Sequence, residues 1–237
     1  MAFVRARLSQ DGTYGLHLTI GAAVLTGAAW IFGGIAEDLI TSDPLVRVDA
    51  MLSEWLRLHA SSRFAALMHA VSALASTTTV TLLAIALGCA LLWQRRWTWL
   101  LAVVLAVPGG VLLNVGLKHV FGRARPGWAD ASMALADPGF PSGHTMMATI
   151  IYGLLALYLM QANASWRWRC SVAALAGTLV LAVALSRMVL GAHYLSDVLG
   201  AIAAGLGWVA LCLTAVETWR RRRRLTGAPV DPLMPQP

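Results

Sequence analysis

Residues 97–126 read WTWLLAVVLAVPGGVLLNVGLKHVFGRARP. From Trp97 to Leu117 no side chain is charged, and about 20 apolar residues are what one helical crossing of a bilayer core requires. Pro108-Gly109-Gly110, midway along, predicts a kinked or loosened helix, tolerable where neighbouring helices satisfy the freed backbone groups. The run ends on Lys118, the only lysine among 18 Lys and Arg residues, and Arg125-Pro126 follows seven residues later. A lone lysine at the end of an apolar run calls for a role beyond surface solubility.

Five further apolar runs flank this one: Leu16–Ile35, Thr77–Trp93, Thr145–Met160, Ser171–Val189 and Asp197–Val216. The chain of 237 residues is 58% hydrophobic and 12% charged, with mean hydropathy +0.68. A soluble domain carries roughly twice that share of charge. The expectation is therefore an all-α polytopic membrane protein of six transmembrane helices. Residues 1–225 form its single domain, and the proline-containing 226–237 read as a disordered tail. The first run exceeds the length of a signal-peptide core and reads as an uncleaved anchor. Between the first two spans, residues 41–76 are too polar to cross. There Val48, Met51, Leu52, Trp55 and Leu56 form a helical stripe, with Asp49, Ser53, Glu54 and Arg57 opposite. That pattern predicts an amphipathic helix on the outer leaflet, or else a packed loop helix.

Charge sets the expected orientation. With the N-terminus inside, cytoplasmic segments hold Arg5, Arg7, Arg95, Arg96, Arg167, Arg169 and Arg220 to Arg224, eleven in all. The other side holds Arg47, Arg57, Arg63, Lys118, Arg123, Arg125 and Arg187. The excess places both termini in the cytoplasm. Trp93, Trp97, Trp99, Trp166, Trp168 and Trp219 flank the same cytoplasmic ends. The net charge of +7 owes five units to Arg220–Arg224, a membrane anchor beside anionic lipid and no sign of nucleic acid. Cys89, Cys170 and Cys212 have no metal-ligand spacing and read as packing residues. No metal or other cofactor is expected.

Three segments carry chemistry, and all fall on the outward side. Lys118, Arg125 and Arg187 can surround a dianionic phosphate, arginine as a planar fork and lysine as a point charge. Each alone could instead be an interface cation. Pro141-Ser142-Gly143-His144 opens a helical run. Ser142 suits the N-cap, Gly143 permits close backbone approach, and a helix N-terminus attracts anions. His193 and Asp197 lie one helical turn apart, where a carboxylate can fix the imidazole tautomer. Two histidines allow one nucleophile and one proton donor, and the residues alone do not say which is which. Asn114, one turn before Lys118, reads chiefly as a packing residue. His17, His59, His69 and His119 show no such partner pattern.

Lys118–Arg125-Pro126 fits KxxxxxxRP, residues 141–144 read PSGH, and Ser186-Arg187–His193–Asp197 fits SRxxxxxHxxxD. This set resembles the type 2 phosphatidic acid phosphatase superfamily, in its membrane lipid phosphatase branch. The motifs cover residues 118–197, and the six-span layout extends the likeness to most of the chain. The resemblance implies His193 as nucleophile forming a phosphohistidine, Asp197 as its orienting partner and His144 as general acid and then base. It implies Lys118, Arg125, Ser142, Gly143 and Arg187 as phosphate-holding residues. The family also contains soluble vanadium haloperoxidases, a branch the six spans disfavour. The expected activity is hydrolysis of a lipid phosphate or diphosphate, of the phosphatidic acid, phosphatidylglycerophosphate or undecaprenyl diphosphate type. A lipid phosphotransferase with the same phosphohistidine is the alternative, and a non-enzymatic lipid or anion transporter a weaker one. The expected location is a bacterial inner membrane with the site in the periplasm.

Overall fold

A computed structural model describes residues 15–41, 44–126 and 138–225. Every regular element among them is helical. In chain order the helices are α1 (Leu16–Thr41), α2 (Pro44–His59), α3 (Ser62–Ala73), α4 (Thr77–Trp93), α5 (Trp97–Phe121), α6 (Gly143–Leu159), α7 (Trp166–Val189) and α8 (Leu195–Leu225). The tail 226–237 and the arginines at 5 and 7 lie outside the described residues.

The apolar runs became helices, and many of their large side chains face outward. Trp30 is 81% exposed, and Ile31, Leu82, Ile85, Leu112, Leu175 and Leu181 are likewise exposed. In water such a surface would aggregate, whereas in lipid it needs no cover. Several helices start on a serine that accepts from the backbone: Ser61 from Phe64 N at 3.3 Å, Ser76 from Thr79 N at 3.2 Å, Ser165 from Trp168 N at 3.2 Å. Such caps each contribute about 1 kcal/mol.

Five stretches are long and apolar enough to cross a membrane: Leu16–Thr41, Ser62–Trp93, Trp97–Phe121, Trp166–Val189 and Leu195–Arg224. The second joins α3 to α4 across a short break. This corrects the reading of 41–76 as one non-spanning segment. Only α2 is the separate amphipathic helix, while α3 packs on α7 as the start of an apolar stretch.

Helix α6, of 17 residues, is the shorter apolar helix and the most enclosed. Ala148, Ile150, Ile151 and Leu154 are all but inaccessible, among α4, α5, α7 and α8. Its first turn carries His144, while its last turn reaches the far end of the bundle, where Tyr158 Oη donates to Gln94 at 2.7 Å. Trp99 Nε1 donates to Gln161 there too, at 3.2 Å. At that same far end α1 begins and α8 finishes side by side. His17 Nε2 lies 3.4 Å from Thr218 Oγ1, and Gly21 leaves room for Thr214, whose Oγ1 would sit 1.9 Å from an added β-carbon.

Pro108 lies inside one continuous helix, α5. The neighbour that stabilises this stretch is Trp208 of α8, whose Nε1 donates to the Ala106 carbonyl at 3.0 Å. The two glycines after the proline let helices close up. A β-carbon on Gly109 would meet Trp208 at 2.5 Å, and one on Gly110 would meet Ile150 at 2.3 Å. Small residues serve close helix approach in membranes in this way.

The α2 stripe differs from expectation: Leu56 is buried, and Leu52 packs with it against the core rather than facing outward. Val48, Met51, Trp55 and Leu58 do face outward, but Asp49 points into the protein and is 1% exposed. Glu54 and Arg57 pair with each other on the surface.

Candidate active site

The end of α5 is set by glycine. Gly122 has φ +55°, which an L side chain resists, and its N–H bonds to the Lys118 carbonyl at 2.9 Å. Lys118 therefore stays on the last helical turn, buried, and the helix runs to Phe121, about one turn beyond the predicted end of the span at Leu117. The chain turns off through residues 122–126 and brings Arg125 against the α7–α8 connection. There Arg125 Nη1 donates to the Ala192 carbonyl at 3.2 Å.

The segment before α6 is fixed from three sides. Phe140 is fully buried and packs on Phe32 and Phe121. Its ring also lies on Gly200 of α8, where a β-carbon would sit 2.6 Å from it. Asn114 Nδ2 donates to the Pro141 carbonyl at 3.3 Å, so this residue holds the Pro141–His144 loop as well as packing. Ser142 N donates to the Asp197 carbonyl at 3.1 Å. Ser142 is the N-cap residue by backbone, yet its hydroxyl makes no capping bond and instead accepts from Thr145 Oγ1 at 3.1 Å. Gly143 fits closely on Asn114, whose Oδ1 would be 3.2 Å from an added β-carbon. Gly143 and His144 are only half-buried, and they form the open side of the site.

Arg187 sits on the last turn of α7, 6% exposed. Its Nη1 donates to Ser72 of α3 at 2.8 Å, while its Nε is buried with no hydrogen-bond partner in the structure. A buried guanidinium N–H without an acceptor is costly unless a ligand supplies one. His144 lies within electrostatic reach of Arg187, His193, Arg125 and Lys118. The three predicted cations and both predicted histidines thus share one site.

His193 is fully enclosed in the α7–α8 connection. Its Nδ1 lies 2.8 Å from the Gly139 carbonyl and 3.6 Å from Asp197 Oδ2. A carbonyl can only accept, so Nδ1 carries the proton and Nε2 keeps its lone pair. The hydrogen bond from Nδ1 thus goes to a backbone carbonyl, with the expected Asp197 carboxylate beside it as an ion-pair partner at 3.6 Å. Asp197 has other partners. Its Oδ2 accepts from Tyr194 N at 2.8 Å, closing the first turn of α8 as in a capping box, and its Oδ1 accepts from Arg123 Nη1 at 2.6 Å. Burial holds His193 below its ordinary pKa, the nearby Asp197 carboxylate draws it back in part, and Arg125 and Arg187 oppose that. A neutral ring with a free nitrogen is a nucleophile.

Sequence reasoning did not find Gly139, Arg123, Asp49 or Ser196. Gly139 acts through its carbonyl, which any residue has. Its signal is steric: a β-carbon there would lie 3.3 Å from the carbonyl oxygens of Arg123 and Ala124. Arg123 was counted only as an outward cation, and Asp49 as the polar side of a surface helix.

Cations and two histidines thus gather at one end of an apolar helical bundle. The chain belongs to the PAP2 superfamily, whose family profile matches residues 97–221. It is 31% identical over 141 residues to phosphatidylglycerophosphatase B of Bacillus subtilis (strain 168), covering 59% of this chain and 68% of that protein. It is 34% identical over 116 residues to lipid A 1-phosphatase of Rhizobium etli, covering 45% of this chain and 44% of that one. Among solved structures, the first transmembrane PAP2 type phosphatidylglycerolphosphate phosphatase from Bacillus subtilis superposes with a TM-score of 0.71 at 26% identity, over 79% of this chain and 93% of that one.

Proposed function

We propose that this PAP2-type phosphatase removes a terminal phosphate from a membrane lipid through a phosphohistidine on His193, at the outward face of a bacterial inner membrane. One observation carries the reading: His193 Nδ1 is committed to the Gly139 carbonyl, so Nε2 remains for attack beside Arg125 and Arg187. In the first step Nε2 attacks phosphorus in line and the P–O bond to the lipid breaks. His144 gives its proton to the departing lipid oxygen. In the second step water attacks the phosphohistidine while His144 takes a proton from it. The N–P bond breaks and inorganic phosphate leaves. Lys118, Arg125 and Arg187, with the backbone at Ser142 and Gly143, neutralise and seat the phosphoryl oxygens, whose charge dominates such reactions. The names of the two curated relatives favour a phosphate monoester on a lipid as the substrate class.

The test is phosphate release by the purified protein from phosphatidylglycerophosphate, phosphatidic acid, lipid A and undecaprenyl diphosphate, each with and without an acceptor lipid. At least one lipid should release phosphate, equally well in EDTA. The motivation is the cationic cradle, together with the finding that no group of three metal-ligating side chains gathers among the described residues. Complete loss in EDTA, restored by a divalent cation, would overturn the metal-independent step. Product formed only when an acceptor is present would make the protein a transferase.

The orientation rests on charge. Arg95, Arg96, Arg167, Arg169 and Arg220–Arg224 all lie at the end of the bundle away from the site, which the positive-inside rule assigns to the cytoplasm. In a protein with its three cysteines replaced by alanine, Arg63→Cys should react with an impermeant thiol reagent added outside intact cells. Arg222→Cys should react only after lysis. The reverse pattern would place the site on the cytoplasmic face.

A further inference from the structure

Arg187 is a buried guanidinium with no carboxylate partner among the described residues. Arg123 shows the opposite arrangement. Its Nη2 donates to Asp49 Oδ2 at 2.8 Å and its Nη1 to Asp197 Oδ1 at 2.6 Å, and Asp49 also accepts from Ser196 N at 2.9 Å. Arg123 is thus neutralised within the protein. Arg187 instead donates through Nη1 to an uncharged oxygen, Ser72 Oγ, at 2.8 Å. Arg125, a second cation, lies within electrostatic reach of it. A buried charge calls for pairing, and a hydroxyl partner leaves the full charge of Arg187 to a bound anion.

Ser72 is itself held in place. It lies on the last turn of α3, where Met68 and Val71 share an apolar cluster with Ala184 and Met188 of α7. Helix α3 stops one residue later and α4 starts at Thr77. A break inside an apolar stretch leaves backbone carbonyls that need donors. The Ala73 carbonyl accepts from Thr79 Oγ1 at 2.7 Å, and the Leu74 carbonyl accepts from Tyr152 Oη of α6 at 2.7 Å. The corner is therefore fixed from two sides, and Ser72 Oγ is a stationary acceptor for Arg187.

Nη1 is the terminal nitrogen on the Cδ side of a guanidinium. With Nη1 on Ser72, the opposite edge remains, Nε with Nη2, two parallel N–H groups that match two phosphoryl oxygens. Nε, on that edge, is buried with no hydrogen-bond partner. We propose that Ser72 is a positioning residue for phosphate binding: by holding Arg187 Nη1 it turns the Nε–Nη2 edge of the guanidinium toward the phosphoryl group. This deepens the reading of the cationic cradle as the phosphate site and rests on it.

The experiment is calorimetric titration of the whole protein in detergent with vanadate and with inorganic phosphate. Beside it run kcat/KM on an aryl phosphate and the midpoint of thermal unfolding. Ser72→Ala should weaken both anions on the order of tenfold and lower kcat/KM by a similar factor, through loss of orientation in one charge-assisted contact. Ser72→Thr keeps the hydroxyl and should stay within about threefold of the unsubstituted protein. Tyr152→Phe loosens the same corner while leaving Ser72 and Arg187 in place. It should lower the unfolding midpoint and leave anion binding unchanged. Three results would each overturn the proposal: anion affinities in Ser72→Ala within about twofold of the unsubstituted protein, equal losses in Ser72→Ala and Tyr152→Phe, or equal losses in Ser72→Ala and Ser72→Thr. If Ser72→Ala does not fold, Ser72→Cys decides by the same titrations, since its sulfur is close to the hydroxyl in place but a weak acceptor. If the unsubstituted protein binds both anions yet releases phosphate from no lipid, the functional reading fails alone, and the affinities still decide the role of Ser72. If it binds neither anion, the cradle is overturned and the role of Ser72 with it.

Discussion

His193→Ala forms no covalent phosphoenzyme and loses turnover by on the order of 10⁴-fold or more, because no other group can take its place as nucleophile. Nε2 of His193 is the ring nitrogen left open once Nδ1 is bound to Gly139. Removing the ring does not remove the cradle. Lys118, Arg125 and Arg187 reach the site from α5, the α5–α6 connection and α7, and Arg125 and Arg187 are tied there to the Ala192 carbonyl and to Ser72. The variant should therefore still bind vanadate or inorganic phosphate. Acid quench after mixing with labelled substrate is the measurement. Label retained on His193→Ala but absent from His144→Ala would mean that nucleophile and acid are reversed.

His144→Ala slows both steps on a lipid ester by about 10²–10⁴-fold, the usual size of general acid–base help. With an activated aryl phosphate, whose leaving group needs no proton, the phosphorylation step should be far less damaged, while hydrolysis of the phosphohistidine stays slow. That substrate also isolates His193. Without His144, the acid limb of the phosphorylation rate reports protonation of the attacking ring. His193 attacks only when neutral, and burial lowers its pKa in spite of Asp197. The rate should therefore stay level as pH falls through the ordinary histidine range near 6.5 and drop only at lower pH. A limb centred at or above 6.5 would contradict the burial of this histidine. Equal damage to the phosphorylation step on lipid and activated substrates would remove His144 from the role of acid.

Much of this was legible in the residues. Apolar runs of crossing length define the helices because lipid leaves backbone groups no partner except their own helix. The ends were harder to place. Helix α5 continues to Phe121 because Gly122 accepts the left-handed conformation there, and hydropathy does not register that. Residues 62–73 looked too polar beside their neighbours, yet join α4 in a single apolar stretch. In the site, spacing identified the groups with unusual chemistry: a lone lysine, two histidines and a carboxylate one turn from one of them. It could not identify partners that act through ordinary atoms or across the chain. The Gly139 carbonyl has no sequence signature. Asp49 meets Ser196 only because α2 packs against α8, and no local periodicity encodes that contact.

Helix α2 has a further consequence. Its outward side carries Val48, Met51, Trp55 and Leu58, while Asp49 on its inward side belongs to the same network as Asp197. On the orientation proposed above, with α2 on the outer leaflet, lipid and the proposed site would be separated by the thickness of one helix, about 10 Å. A substrate held in that leaflet would then not need to leave it to present its headgroup, and its search for the site would be two-dimensional. What matters to such an enzyme is how many of the lipids around it are substrate. Diluting the substrate with inert lipid at constant bulk concentration is then equivalent to withholding it, and the familiar molar Michaelis constant becomes a mole fraction.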